Sequence, residues 1–103
     1  MDKDRRQFEQ YRQTAQHCLD GLETLQRHAD LYADLTEEQQ AMLITPPDGT
    51  KSLTDFVNKA RNTALLLLQK VYQSELLTSG DMHHMERLLT EINSLIRQVE
   101  IRH

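Results

Sequence analysis

Apolar residues recur along most of this chain at spacings of three and four. Phe8, Tyr11, Ala15, Cys18, Leu22, Leu25, Ala29 and Tyr32 follow one another at intervals of 3, 4, 3, 4, 3, 4, 3. That is the a/d seam of a helix lying nearly parallel or antiparallel to another. The opposite face carries Gln13, Asp20, Arg27 and Asp34, all polar. The pattern predicts a first helix over about residues 3–35. Gly21 falls inside it, at about 1 kcal/mol relative to Ala, and marks either a bend or a close approach by a neighbouring helix. A second seam, Met82, Met85, Leu89, Ile92, Ile96 and Val99, predicts a last helix over about 82–102, with Leu88 and Leu95 widening one side.

Between these seams lies Leu53 to Leu77, patterned differently. Four consecutive leucines, Leu65 to Leu68, occupy its middle. Each residue of a helix advances about 100° around the axis, so no single face holds four in a row. One face reads Val57, Ala60, Ala64, Leu67, Val71, and a second reads Leu65, Leu68, Tyr72, Leu76. A helix apolar on more than one side is normally buried on more than one side. The expectation is that the others pack around this helix, over about 53–77.

The breaks are local chemistry. Thr36-Glu37-Glu38-Gln39 has the form of a capping box, with acids suited to the helix dipole. It predicts a short helix over about 37–44, or a continuation of the first through a kink at Leu35-Thr36. Pro46 disfavours helix at Thr45, and Asp48-Gly49 is a turn dipeptide, so residues 45–51 form the main loop. Ser52 or Thr54 caps the 53–77 helix. Thr78-Ser79-Gly80-Asp81 ends it, with Gly80 as a left-handed stop and Asp81 as the next N-cap. No stretch alternates with a strand's period. The fold class is therefore all-α: one domain over 1–103, an antiparallel bundle of three main helices plus a short one, with coiled-coil-like seams.

Helix lengths then raise a question. At 1.5 Å per residue the first helix spans roughly 48 Å, the middle one about 37 Å and the last about 30 Å. The first is too long for either neighbour to cover, yet its seam stays apolar throughout. That excess, with the second apolar face at 65–76, predicts that a second chain completes the core, most simply as a two-fold homodimer. A self-contained monomer is the alternative.

Charge and candidate chemistry narrow the function. A formal net charge of −4 gives no reason to expect nucleic acid as the default partner. The one loose basic cluster, Lys3, Arg5 and Arg6, is interrupted by Asp2 and Asp4. The single cysteine, Cys18, has no internal disulfide partner, which fits a reducing, cytoplasmic setting. MDKDRRQFEQ carries no apolar h-region, so no signal peptide is expected. The run Ala64–Leu68 falls far short of the ~20 apolar residues of a membrane span.

Cys18 occupies a d position, where cysteine acts as a small buried hydrophobe, and adjacent His17 points about 100° away. His83 and His84 open the last helix, but His84 and Glu91 fall opposite its seam. His17 and His28 take outer or flanking positions, and His103 ends the sequence, so surface histidines are expected rather than a metal site. No Gly-rich phosphate loop, CxxC, GxSxG or HExxH occurs. Met42, Met82 and Met85 read as core filler. The 45–51 loop, with Leu43, Ile44, Pro46, Pro47 and nearby Leu53, is a candidate contact patch.

The expected function is a non-catalytic protein–protein interaction module without cofactor: a small acidic adaptor, a secretion-type chaperone or an inhibitor. Its candidate contacts are Leu65, Leu68, Tyr72 and Leu76, with Phe8 and Tyr11. One alternative is a dimeric nucleic-acid regulator touching phosphates through Lys3, Arg5, Arg6 and Arg12. Another is a metal or small-molecule site within the bundle.

Overall fold

The computed structural model describes residues 2–47, 49–50 and 52–101, with side chains described from residue 5 to residue 100 among these. Four helices follow in order: α1 (Asp2–Leu31), α2 (Glu37–Leu43), α3 (Leu53–Ser74) and α4 (Ser79–Ile101). No strand occurs among the described residues. Phe8 of α1 stacks near Tyr72 at the far end of α3, so those two helices run antiparallel. Cys18 meets Met85, and Gly21 meets Ile92 and Ile96, so α1 and α4 run parallel. The arrangement is up, down, up, about 51 × 22 × 18 Å overall.

The helix shared by the others is α1, not α3. It packs extensively against both α3 and α4, which touch each other much less. Its whole seam from Tyr11 to Tyr32 is buried within one chain, while Phe8 is half-buried. This corrects the expectation from helix lengths. The far end of α1 is covered by the 32–52 crossover, where Tyr32, Ile44 and Leu53 are all buried. Neither the α1 seam nor its length requires a second chain.

Gly21 resolves as a close approach. The helix passes through it uninterrupted, and a Cβ there would lie 2.6 Å from Ile92 Cγ2. Met85, Ile92 and Val99 of the expected α4 seam are buried, but at the alternate positions burial shifts by one residue, from Met82, Leu89 and Ile96 to Asp81, Leu88 and Leu95. Met82, Leu89 and Ile96 sit at the rim. The reason is that α4 serves two neighbours. Leu88 shares a cleft with Phe56 and Ala60 of α3, while Met82 lies beside Gln7 and Gln10 of α1.

The crossover is held by polar groups. Thr36 Oγ1 accepts from Gln39 N at 3.1 Å and Gln39 Oε1 accepts from Thr36 N at 3.0 Å, so α2 is separate from α1 and capped as its sequence requires. The buried Gln40 side chain donates to Tyr32 O at 3.1 Å and accepts from Leu53 N at 3.4 Å. One amide thus ties the end of α1 to the start of α3. Gln98 of α4 clasps Thr45 through both its backbone groups, at 2.8 and 3.2 Å. Ser52 caps α3 by accepting from Asp55 N.

The α3–α4 turn departs from expectation in two ways. α3 stops at Ser74, and Glu75 rather than Gly80 takes the left-handed conformation, at φ 53°. α4 then starts at Ser79, with Gly80 inside its first turn. Thr78, not Asp81, stands at the N-cap: it accepts from Asp81 N at 3.1 Å, and Asp81 answers by accepting from Thr78 N at 3.2 Å. Asp81 also accepts from Lys70 Nζ at 3.0 Å, tying α4 back to α3.

Candidate functional site

The residues expected to contact a partner separate into two groups. Leu65 and Tyr72 lie on the outside of α3, each exposed by 48%, whereas Leu76, exposed by 62%, falls past the helix end at Ser74, beyond the left-handed Glu75, and so leaves the face its spacing predicted. Leu68 and Phe8 are half-buried along the edge of the same strip. The Phe8 and Tyr72 rings stand 6.5 Å apart, joining α1 to the α3 face. Helical geometry explains the exposure. The core takes Leu53, Phe56, Val57, Ala60, Ala64 and Val71, all in one sector of α3. The sector through Leu65 and Tyr72 lies about 100° or more from its centre, so α1 reaches only its edge, through Phe8. A run of four leucines guarantees that some miss the core. Leu66, which belongs to neither predicted face, is exposed by 64% on the far side of Leu65.

Tyr11, by contrast, is fully enclosed by the chain's own helices. It belongs to the a/d seam, and that seam closes within the monomer. Its hydroxyl has no hydrogen-bond partner among the described residues. Burial, with the nearby Asp81 carboxylate adding to it, pushes the Tyr11 phenol up to about 12.

The loop patch is likewise largely folded inward. Ile44, Pro46 and Leu53 are buried and Leu43 is half-buried, leaving Pro47 as its exposed apolar residue. Ile44 caps α2 and turns into the core, and Gln98 pins the adjoining Thr45. Asp48 lies outside the described residues. An open cleft of about 350 Å³ runs beside this segment, lined by Glu37, Glu38 and Thr50 among others.

The chemical candidates are dispersed. Cys18 is buried against Met85, and burial pushes its thiol up to about 11, away from nucleophilic use. Among the described residues no three His, Cys, Asp or Glu side chains come together as a metal cluster. His84 and Glu91 line a cleft of about 210 Å³ between α3 and α4 together with Lys59 and Arg87. Arg87 is engaged by Glu91 at 3.7 Å. His83 sits in a separate shallow cleft beside Gln7 and Glu86, and His103 lies outside the described residues. Of the basic N-terminal residues, Arg12 is bound to Glu9 of its own helix, whose carboxyl it holds below the usual range. Arg5 and Arg6 are exposed, and the Lys3 side chain lies outside the described set. No described helix is long and apolar enough to cross a membrane.

Two structural residues, Gln40 and Gln98, had no sequence signal. Each is a glutamine in an amphipathic helix, and only the tertiary fold brings a backbone segment within its reach.

Compared with known protein families, characterised proteins and solved structures, the chain matches none.

Proposed function

We propose that this chain is a non-catalytic protein–protein interaction module that works through the outer face of α3. The observation that carries the reading is the exposed pair Leu65 and Tyr72 on α3, with half-buried Leu68 and Phe8 at its edge and exposed Leu76 just past the helix end. The fold closes its core without Leu65, Tyr72 and Leu76. Removing apolar area from water contributes about 25 cal/mol per Å², so large side chains left outside gain from a partner what folding does not give them. Aromatic and aliphatic residues with few charges among them are also the composition of interface cores. The buried, neutral Cys18 and the scattered histidines support a role without covalent or metal chemistry. The lone unpaired cysteine supports a reducing, cytoplasmic setting. An acidic adaptor, a secretion-type chaperone and an inhibitor all use such a face.

The test is affinity purification of the tagged chain from its own cells beside Leu65→Asp. The wild type is expected to carry an assembly, with itself or another polypeptide, that the helical and stable variant loses. Identical assemblies from both proteins would refute the reading.

A further inference from the structure

We infer that the occupant of the α3 face is a second copy of this chain, docked with the two α3 helices antiparallel about a two-fold axis near Leu68. The inference rests on the reading of this face as an interaction surface and adds the partner and its register. Charge is the argument. The chain carries a net −4, so repulsion between two copies is least where the surfaces that meet carry few carboxylates. Within α3 the acid is Asp55, near the N-terminus, and the Leu65–Tyr72 stretch contains none. The strip is bracketed instead by charges of opposite sign, the half-exposed Arg61 before it and the exposed Glu75 just past the helix end.

Those brackets choose the register. Leu65 and Tyr72 lie symmetrically about the point between Leu68 and Gln69, in the C-terminal half of α3. An antiparallel two-fold there sets each Leu65 against the partner's Tyr72 and stacks the two Leu68 side chains at the axis. The same operation brings each Arg61 level with the partner's chain just past its α3 end, at Glu75 and Leu76. A two-fold axis running along the helices would instead set Arg61 against its own copy, like against like. Isologous contact requires this self-complementarity of one patch, and the antiparallel register supplies it twice.

The experiment is light scattering of the untagged protein from micromolar to hundreds of micromolar, with four variants. The wild type is expected to shift from monomer to dimer within that range, and Leu65→Asp to stay monomeric with unchanged helicity by circular dichroism. Arg61→Glu is expected to weaken the dimer about tenfold, and Arg61→Glu with Glu75→Arg to restore it. Arg61→Gln weakens it modestly. Tighter association of Arg61→Gln would overturn the register, since it would mean that Arg61 faces its own copy. A wild type that stays monomeric throughout would overturn the second copy as occupant. In that case a Leu65-dependent assembly with another polypeptide in cells would leave the α3 face as the interaction surface.

Discussion

Gly21 shows how one residue sets a distance between helices. Glycine within an exposed helix costs about 1 kcal/mol, so an alanine there would ordinarily stabilise. Here the added Cβ meets Ile92 Cγ2 at 2.6 Å and Ile96 Cδ1 at 3.3 Å. Cγ2 is fixed to a branched Cβ, stiff about χ1 in a helix, so it has little room to yield. Overpacking of this kind costs about 1–3 kcal/mol and outweighs the propensity gain. Gly21→Ala is therefore expected to lower the urea midpoint. In an Ile92→Ala background the same change is expected to raise it, as chemical denaturation followed by circular dichroism would show. Tyr11 poses a different problem at the same scale, because a phenol is buried with its hydroxyl unpartnered among the described residues. An unsatisfied buried donor costs about 1–3 kcal/mol, so Tyr11→Phe is expected to be neutral or stabilising at pH 7. Its larger effect comes in alkali. Below about pH 8 both Tyr11 and Cys18 are essentially neutral whether the chain is folded or not. In the folded protein Tyr11 rises from an ordinary 10.0 to about 12, and Cys18 from 9.0 to about 11. As pH climbs through that window the unfolded chain releases its protons first, and stability is lost. Equilibrium unfolding measured from pH 8 to 12 is expected to show this decline, with its upper part, above pH 10, diminished in Tyr11→Phe.

Helix ends were legible where a cap lies within four residues of sequence, and misread where two caps compete. Thr36-Glu37-Glu38-Gln39 folds into the reciprocal box that its spelling implies, because both partners are local. Thr78-Ser79-Gly80-Asp81 has the same form, but the glycine drew attention to itself as a stop. The structure places the stop five residues earlier, at Glu75, and uses Thr78 and Asp81 as the box. Lys70, one helix away, also binds the Asp81 carboxylate. Asp81 is thus held below the usual carboxylate range, first by the Lys70 hydrogen bond and then by Thr78. A depressed carboxyl contributes stability above its unfolded value near 3.8, and that contribution is lost as pH falls through the folded value. Asp81→Ala is expected to lose about 1–2 kcal/mol at neutral pH, chiefly the cap, since Lys70 is mostly exposed. The gap from wild type should narrow below pH 4 in thermal melts across pH.

Most of the whole molecule was legible, since amphipathic period, loop residues and caps together specify a three-helix bundle with a short crossover helix. Which helix is shared was not, because a two-faced helix and a surface-bearing helix look alike along the chain. The apolar excess of α3 suggested the centre of the bundle. The structure gives that place to α1, which packs against both neighbours and admits α4 closely at Gly21. The residue-by-residue consequence is sharp on α3, where positions one apart have opposite fates. Ala64 is fully buried, while Leu65 is half exposed to solvent. A carboxylate at 64 is left unpaired in the core, so Ala64→Asp is expected to lose more than about 3 kcal/mol or to abolish the folded state. Leu65→Asp should change the stability of the monomer by less than about 0.5 kcal/mol, as surface changes usually do. Urea unfolding at low micromolar concentration, where association is least, compares the two directly. A Leu65→Asp as damaging as Ala64→Asp would mean that the outer face is needed to fold. A neutral one separates the face from the fold and leaves its apolar residues to association alone.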